Sequence, residues 1–286
     1  MALTKEDLNI LYHQIIDQSL KDTNRLPSLP DVAFEVRDAV ADENTTVETL
    51  AALIAKEPAL IAYLIKSAAS PIYRRPVPPK TLAEVISLLG FGAVNSLVLM
   101  YCARSMLVLE DPTAKKLFNH TWERLVVKTS VASFLAQQLK YQTLERVQMA
   151  MLLSEVGSLA VLSALVDGNQ LPDTEMYFEL CRGYSKTLGC IMLDKWNVDP
   201  MIIELLWQYG EWQETWDDKI NMLDIANLSL YYTILYTKDN MELPPLEDLA
   251  VYQKLPESMQ KCSKPNWLEF IIDNEEQINI IISSLK

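Results

Sequence analysis

Leu144-Glu145-Arg146-Val147-Gln148-Met149-Ala150-Met151-Leu152-Leu153-Ser154-Glu155-Val156-Gly157-Ser158-Leu159-Ala160-Val161-Leu162-Ser163-Ala164-Leu165-Val166 carries three charges, Glu145, Arg146 and Glu155. A proline-free apolar run of this length is too long for a strand and predicts a buried helix. The flanks read the same way. Phe118 to Gln138 predicts a long helix, followed downstream by helices at about 173–182, 184–196, 200–209, 218–237 and 266–285. Upstream, Thr4 to Lys21 places Leu8, Leu11, Ile15 and Leu20 near one helical face. Pro27 and Pro30 reset direction, and Asp31 can cap a helix to Ala41. Thr45-Thr46-Val47-Glu48 and Thr81 with Glu84 read as capping boxes, the first with Thr45 as the cap. One helix ends before Pro58 and another runs to about Ala69; the proline-rich stretch 71–79 is a loop, and Asn95 to about Leu109 is a buried helix. The expected fold is all-α: an N-terminal helical bundle (1–110) packed on a second helical domain (111–286), with Glu110-Asp111-Pro112 as the boundary.

The 286 residues are 50% hydrophobic and 22% charged, enough for a large core without disulfide or metal staples. Four scattered cysteines without a CxxC pair read as reduced thiols, and the N-terminus lacks an apolar signal core, so a cytoplasmic location is expected. A net charge of −13 argues against nucleic acid as a partner, because duplex binders need a basic surface. The densest basic cluster is only Tyr73-Arg74-Arg75 with Lys80 nearby. Val85 to Ala103 is uncharged and approaches the length of a membrane span, but Gly90-Phe91-Gly92 interrupts it. Two buried helices joined at the glycines are expected, with no membrane span.

No GxSxG elbow and no strand–glycine loop–helix element occurs, so neither a serine hydrolase nor a phosphate-cradling loop is indicated. The two histidines, His13 and His120, lie far apart without ligand spacing. Four tryptophans crowd between 196 and 216. Trp196 and Trp207 read as core, the latter four residues after Ile203. Trp212 and Trp216, amid acidic residues, read equally as core or as a surface for a partner, and the segment Trp207 to Trp216 is a candidate interface.

Several pieces in order carry a family resemblance: Leu26-Pro27-Ser28-Leu29-Pro30, the helix from Ala59-Leu60 to Ser70, and Thr81-Leu82-Ala83-Glu84-Val85-Ile86-Ser87-Leu88-Leu89-Gly90. Trp122, Leu152-Leu153-Ser154-Glu155-Val156-Gly157, and Gly189 through Trp196 to Pro200 continue it. Over about residues 24–236 the chain resembles the HDOD (HD-related output domain) family, a relative of the HD phosphohydrolases. The resemblance implies an HD-like helical fold and a bacterial regulatory role in signal transduction, exerted by binding a protein partner or a small ligand.

HD chemistry depends on paired metals held by imidazoles and carboxylates, which generate hydroxide and clamp phosphate oxygens. Where that family has its His-Asp pair, this sequence has Ser154-Glu155; at the other ligand positions stand Arg124, Ser185, Gly210-Glu211 and, in Asp224-Ile225-Ala226-Asn227, Asn227. Arg124 would repel a cation. The resemblance with these replacements implies a degenerate site with no metal, no cofactor and no catalytic residue; the competing expectation is a metal-dependent phosphohydrolase. Glu155, in so apolar a helix, reads either as a carboxyl of raised pKa suited to acid catalysis or as a carboxylate paired with Arg124 or a lysine. Pairing is favoured, because lost ions leave polar positions to satisfy.

Overall fold

The computed structural model describes residues 5–22, 29–70, 73, 78–105, 110–239, 241–264 and 266–285. Leu26-Pro27-Ser28 and most of the proline-rich stretch 71–77 lie outside them. The described residues form helices α1 (Lys5–Lys21), α2 (Asp31–Ala41), α3 (Val47–Ile54), α4 (Pro58–Ala68), α5 (Leu82–Leu89), α6 (Phe91–Ser105) and α7 (Pro112–Gln138). There follow α8 (Leu144–Leu153), α9 (Val156–Asp167), α10 (Thr174–Lys195), α11 (Pro200–Gln208) and α12 (Met222–Thr237). After three short 3-10 turns, a two-stranded hairpin (β1, Cys262–Lys264; β2, Trp267–Leu268) leads into α13 (Glu269–Asp273) and α14 (Glu275–Leu285). The all-α expectation holds.

The core centres on α7 and α12. Leu125 to Ala136 of α7 is buried without interruption, as is Met222 to Ile234 of α12, and the two helices pack together. Asp111 starts α7, its carboxylate accepting from Thr113 N (2.6 Å) and Ala114 N (3.1 Å), with Pro112 in the first turn. Asn221 and Asp224 form a reciprocal capping box on α12. α9 crosses α10, α8 packs on α7 and α6, and α1 lies against α9 and α10. The buried core runs continuously through all of these helices.

Local readings differ from the structure in several places. The apolar run 144–166 bends at Ser154-Glu155 instead of continuing as one helix. The Ser154 hydroxyl donates to Met151 O (2.7 Å), and Ser154 N tightens to the same carbonyl (3.2 Å). A serine bonding back to its own helix in this way bends it. Conversely, α10 runs unbroken through Gly183, which faces open space. The cap of α3 is Thr46, one residue after the expected Thr45, accepting from Thr49 N. Thr81 caps α5 as expected, but the Glu84 carboxylate reaches Lys80 N (2.6 Å), not the Thr81 amide. The last expected helix, 266–285, is divided into β2, α13 and α14. At Gly90, φ +79° ends α5, and α6 leaves at 107°, so Val85 to Cys102 forms two core helices as expected; residues 106–109 lie outside the described residues. The stretch Arg146–Asp167 is also long and apolar enough to cross a membrane, and most of it is buried in the core.

Candidate functional site: a charged cleft at the bend between α8 and α9

Gly157 makes the site possible. A Cβ there would stand 1.8 Å from Ser185 O and 2.9 Å from Gly189 N, so α9 and α10 cross backbone to backbone. This contact brings Ser185 beside the Ser154-Glu155 bend. Opposite, α7 supplies Arg124 and Lys128, one turn apart, and the chain just after α12 supplies Asp239. Together they line a cleft of about 280 Å³ whose walls also include Ser158, Phe178, Arg182, Lys186, Tyr209, Gly210 and Glu211. A groove of about 520 Å³, lined by His120, Phe178, Arg182, Tyr236 and Asp239 among others, shares Arg124 with it.

Glu155 is the hub. Lys128 Nζ lies 2.5 Å from Glu155 Oε1 and donates to Ser154 Oγ (3.0 Å), with the Tyr209 ring 4.9 Å from the ammonium. The other carboxylate oxygen, Oε2, accepts from Ser158 Oγ (2.7 Å). Arg124 Nε stands 3.9 Å from Oε1, its Nη1 donates to Asp239 Oδ2 (2.5 Å), and its guanidinium lies 5.1 Å from the Phe178 ring. Arg182 reaches Asp239 at 3.5 Å. The pairing expected for Glu155 is therefore present, with Lys128 as the close partner and Arg124 as the outer one.

Burial alone would raise the Glu155 pKa; the Lys128 and Arg124 charges and the hydrogen bonds prevail and hold it below the usual carboxylate range. Together with the contacts, that direction favours the paired carboxylate over the general acid. For Lys128 burial is the largest influence, lowering its pKa against the opposing pull of Glu155, with Arg124 adding repulsion. The 2.5 Å contact, with both serines engaged, favours the ionised pair. Burial opposes the charge on Arg124 too, but Glu155 and Asp239 raise its pKa. Cys181, beside the cleft, is pushed by burial up to about 12, so it stays a thiol rather than a nucleophile. The Tyr209 hydroxyl is buried near Ser154 without hydrogen-bonding geometry, and burial keeps it protonated.

Five of the six degenerate positions, Arg124, Ser154, Glu155, Ser185 and Gly210, meet at this cleft. Asn227 stands behind it. Its side chain accepts from Gly210 N (2.9 Å) and donates to Glu211 O (3.1 Å), pinning a turn in which Gly210 takes φ +92°. Asp224 has a different task, capping α12 and accepting from Lys254 Nζ (2.9 Å), whose ammonium also meets Asp217 O (2.5 Å) and Thr215 Oγ1. Lys128, Ser158, Arg182, Tyr209 and Asp239 escaped the sequence reading. The signal for Lys128 was available: it is the sole charge between Leu125 and Ala136.

The donor set does not suit a pair of divalent ions. Among the described residues no three His, Cys, Asp or Glu side chains converge to hold one, and two side-chain cations occupy the centre. His13 instead contacts the Tyr184 hydroxyl (Nδ1 to Oη 2.7 Å), and His120 packs near Phe178. None of the candidate tryptophans lines the cleft. Trp212 packs edge-on against Tyr231, Trp216 Nε1 donates to Gln208 (2.7 Å), and both are half-buried. Trp196 is core as expected, whereas Trp207 is 54% exposed. The inward face of α11 is Ile202, Leu205 and Leu206, which turns Ile203 and Trp207 towards the outside.

These features define an all-helical, HD-like protein with a polar centre between α7, α9 and α10. The HDOD domain family model matches residues 26–210, and the chain belongs to that family. Solved structures share the fold at low identity. A protein from Shewanella amazonensis SB2B, provisionally described as a metal-dependent phosphohydrolase, has TM-score 0.74 at 19% identity, covering 96% of this chain and 99% of its own. An HDOD domain protein of unknown function from Geobacter sulfurreducens has TM-score 0.64 at 14% identity over 95% and 96%. A protein from Marinobacter aquaeolei VT8, provisionally described as a signal transduction protein, has TM-score 0.61 at 15% identity over 99% of this chain and 67% of its own. No curated protein matches the sequence.

Proposed function

We propose that this HDOD protein is a non-catalytic signalling component that works by binding a protein partner or a small ligand. The observation that carries the reading is the buried contact of Lys128 Nζ with Glu155 Oε1 at 2.5 Å. An ammonium at this position repels a divalent ion, and the carboxylate that could ligate one is already engaged by Lys128, Arg124 and Ser158. In the metal-dependent route, the ions generate the attacking hydroxide and clamp the phosphate oxygens. Lys128 and Arg124 could attract an anion, but a protonated amine supplies no hydroxide. The Shewanella amazonensis SB2B structure, provisionally described as a metal-dependent phosphohydrolase, stands on the side of the competing reading. Binding would use the cleft with its adjoining groove, or the outer face of α11, where Trp207 and Met201 (46% exposed) stand out from the surface.

The deciding experiment loads the purified chain with excess Mn²⁺, Fe²⁺ or Zn²⁺, desalts it, and measures bound metal by elemental analysis and turnover of bis-p-nitrophenyl phosphate. Substoichiometric metal and no turnover are expected. One or two ions per chain together with turnover would overturn the proposal.

A further inference from the structure

A further cavity, separate from the charged cleft but sharing Tyr236 with the groove beside it, lies where the C-terminal hairpin and helices close over α7 and α12. It measures about 200 Å³ and is walled mainly by Val131, Tyr232, Tyr236, Trp267 and Ile278. Apart from the α7 residues, its walls lie beyond residue 210, outside the segment that the family model matches. Protein interiors rarely leave voids much larger than a water molecule. An apolar void of about 150 Å³ stays dry and accepts benzene. This one is of similar size and mostly apolar, but it opens to solvent beside Tyr236 and Glu275. The hydroxyl of Tyr232 accepts from Leu268 N at 2.9 Å.

The polar groups at the wall are few and of one sign. Among the described residues, Glu275, exposed in the first turn of α14, is the one charged lining residue, with Asn279 one turn further on. Three aromatic rings accompany the carboxylate: Tyr232 and Trp267, tilted at 47° with centroids 5.4 Å apart, and Tyr236, which is 42% exposed. Aromatic faces with a nearby carboxylate attract an organic cation, and the apolar floor takes a ring or branched chain. We propose that this cavity is a binding site for a small organic ammonium compound, its apolar body between Val131, Ile278 and Trp267 and its ammonium at Glu275.

The test uses three probes that share a body and differ in charge: phenethylamine, 2-phenylethanol and phenylacetate, titrated into the full chain by calorimetry and by ligand-observed NMR. Saturable binding of phenethylamine is expected, with 2-phenylethanol weaker by about tenfold, which is about 1.4 kcal/mol, and phenylacetate weaker still. Glu275→Gln, at an exposed position that leaves the fold intact, should erase the preference for the amine while keeping the affinity for the alcohol. Ile272→Trp, at a half-buried wall position, should weaken both. Circular dichroism and melting of each variant establish that it is folded before titration. Absence of saturable phenethylamine binding to the native chain, or an amine preference that survives Glu275→Gln, would overturn the proposal.

Discussion

Replacing Lys128 by Met keeps most of the side chain's volume and deletes its charge. At an effective dielectric of about 20, a unit charge pair at 2.5 Å attracts by about 7 kcal/mol, and one at 3.9 Å by about 4 kcal/mol. Most of the charge compensation of Glu155 therefore comes from Lys128, with Arg124 supplying the remainder. Deletion also removes the burial penalty of the ammonium and its repulsion from Arg124, so the gross figure overstates the net one. Breaking a buried pair from one side costs about 3–5 kcal/mol. With Arg124 still in place, the lower end, about 3 kcal/mol, is expected. That is a large share of the roughly 5–15 kcal/mol by which domains are stable. Guanidinium unfolding followed by circular dichroism at 222 nm would measure it, with the slope compared to show that the unfolded ensemble is unchanged. Adding Glu155→Gln in the same chain neutralises the orphaned carboxylate and keeps an acceptor for Ser158, so the double variant should recover most of the loss. A Lys128→Met chain within about 0.5 kcal/mol of the native one, or a double variant no better than the single, would refute the ion-pair account.

Gly157→Ala sets a methyl 1.8 Å from Ser185 O, so α9 and α10 must separate. A loss of about 3 kcal/mol or more, or insoluble expression, is expected in the same melt. Acid should unfold the protein in part through Glu155. Its folded pKa is lowered, so its contribution is complete above the unfolded value of about 4.3 and is lost as pH falls through the lower folded value. Stability measured from pH 6 to 2 should fall steeply below about pH 4, and less steeply in the Lys128→Met/Glu155→Gln double variant. Trp207→Ala, on an exposed position, should change stability by less than about 0.5 kcal/mol, whereas Trp196→Ala should cost about 3–5 kcal/mol, each read from the denaturant midpoint.

The fold was legible because its main signals are long and local. A proline-free apolar run has few structures open to it, and Asp111 before Pro112 or Thr81 before Leu82 marks a helix start in four residues. The partner of Glu155 was legible as a class, since a lone carboxylate in an apolar helix requires a cation, but which lysine supplies it depends on how α7 faces α9. The bend at Ser154 was not legible, because it rests on a side chain competing with its own backbone in a sequence otherwise suited to an unbroken helix. Trp207 misled because its spacing from Ile203 marks a face, and periodicity does not say which face is turned inward. Asn227 aligned as a lost ligand, yet its work is to hold the Gly210 turn, a contact over 17 positions that no local pattern announces.

The charge at the centre of this fold travels with the polypeptide. Lys128 is present once in every chain as soon as it is made, at a stoichiometry set by translation rather than by the supply of an ion. Chelators, metal starvation and changing redox state of a bound ion therefore have no hold on that ammonium. The packing of α7 against α9 is what sets this ammonium beside Glu155.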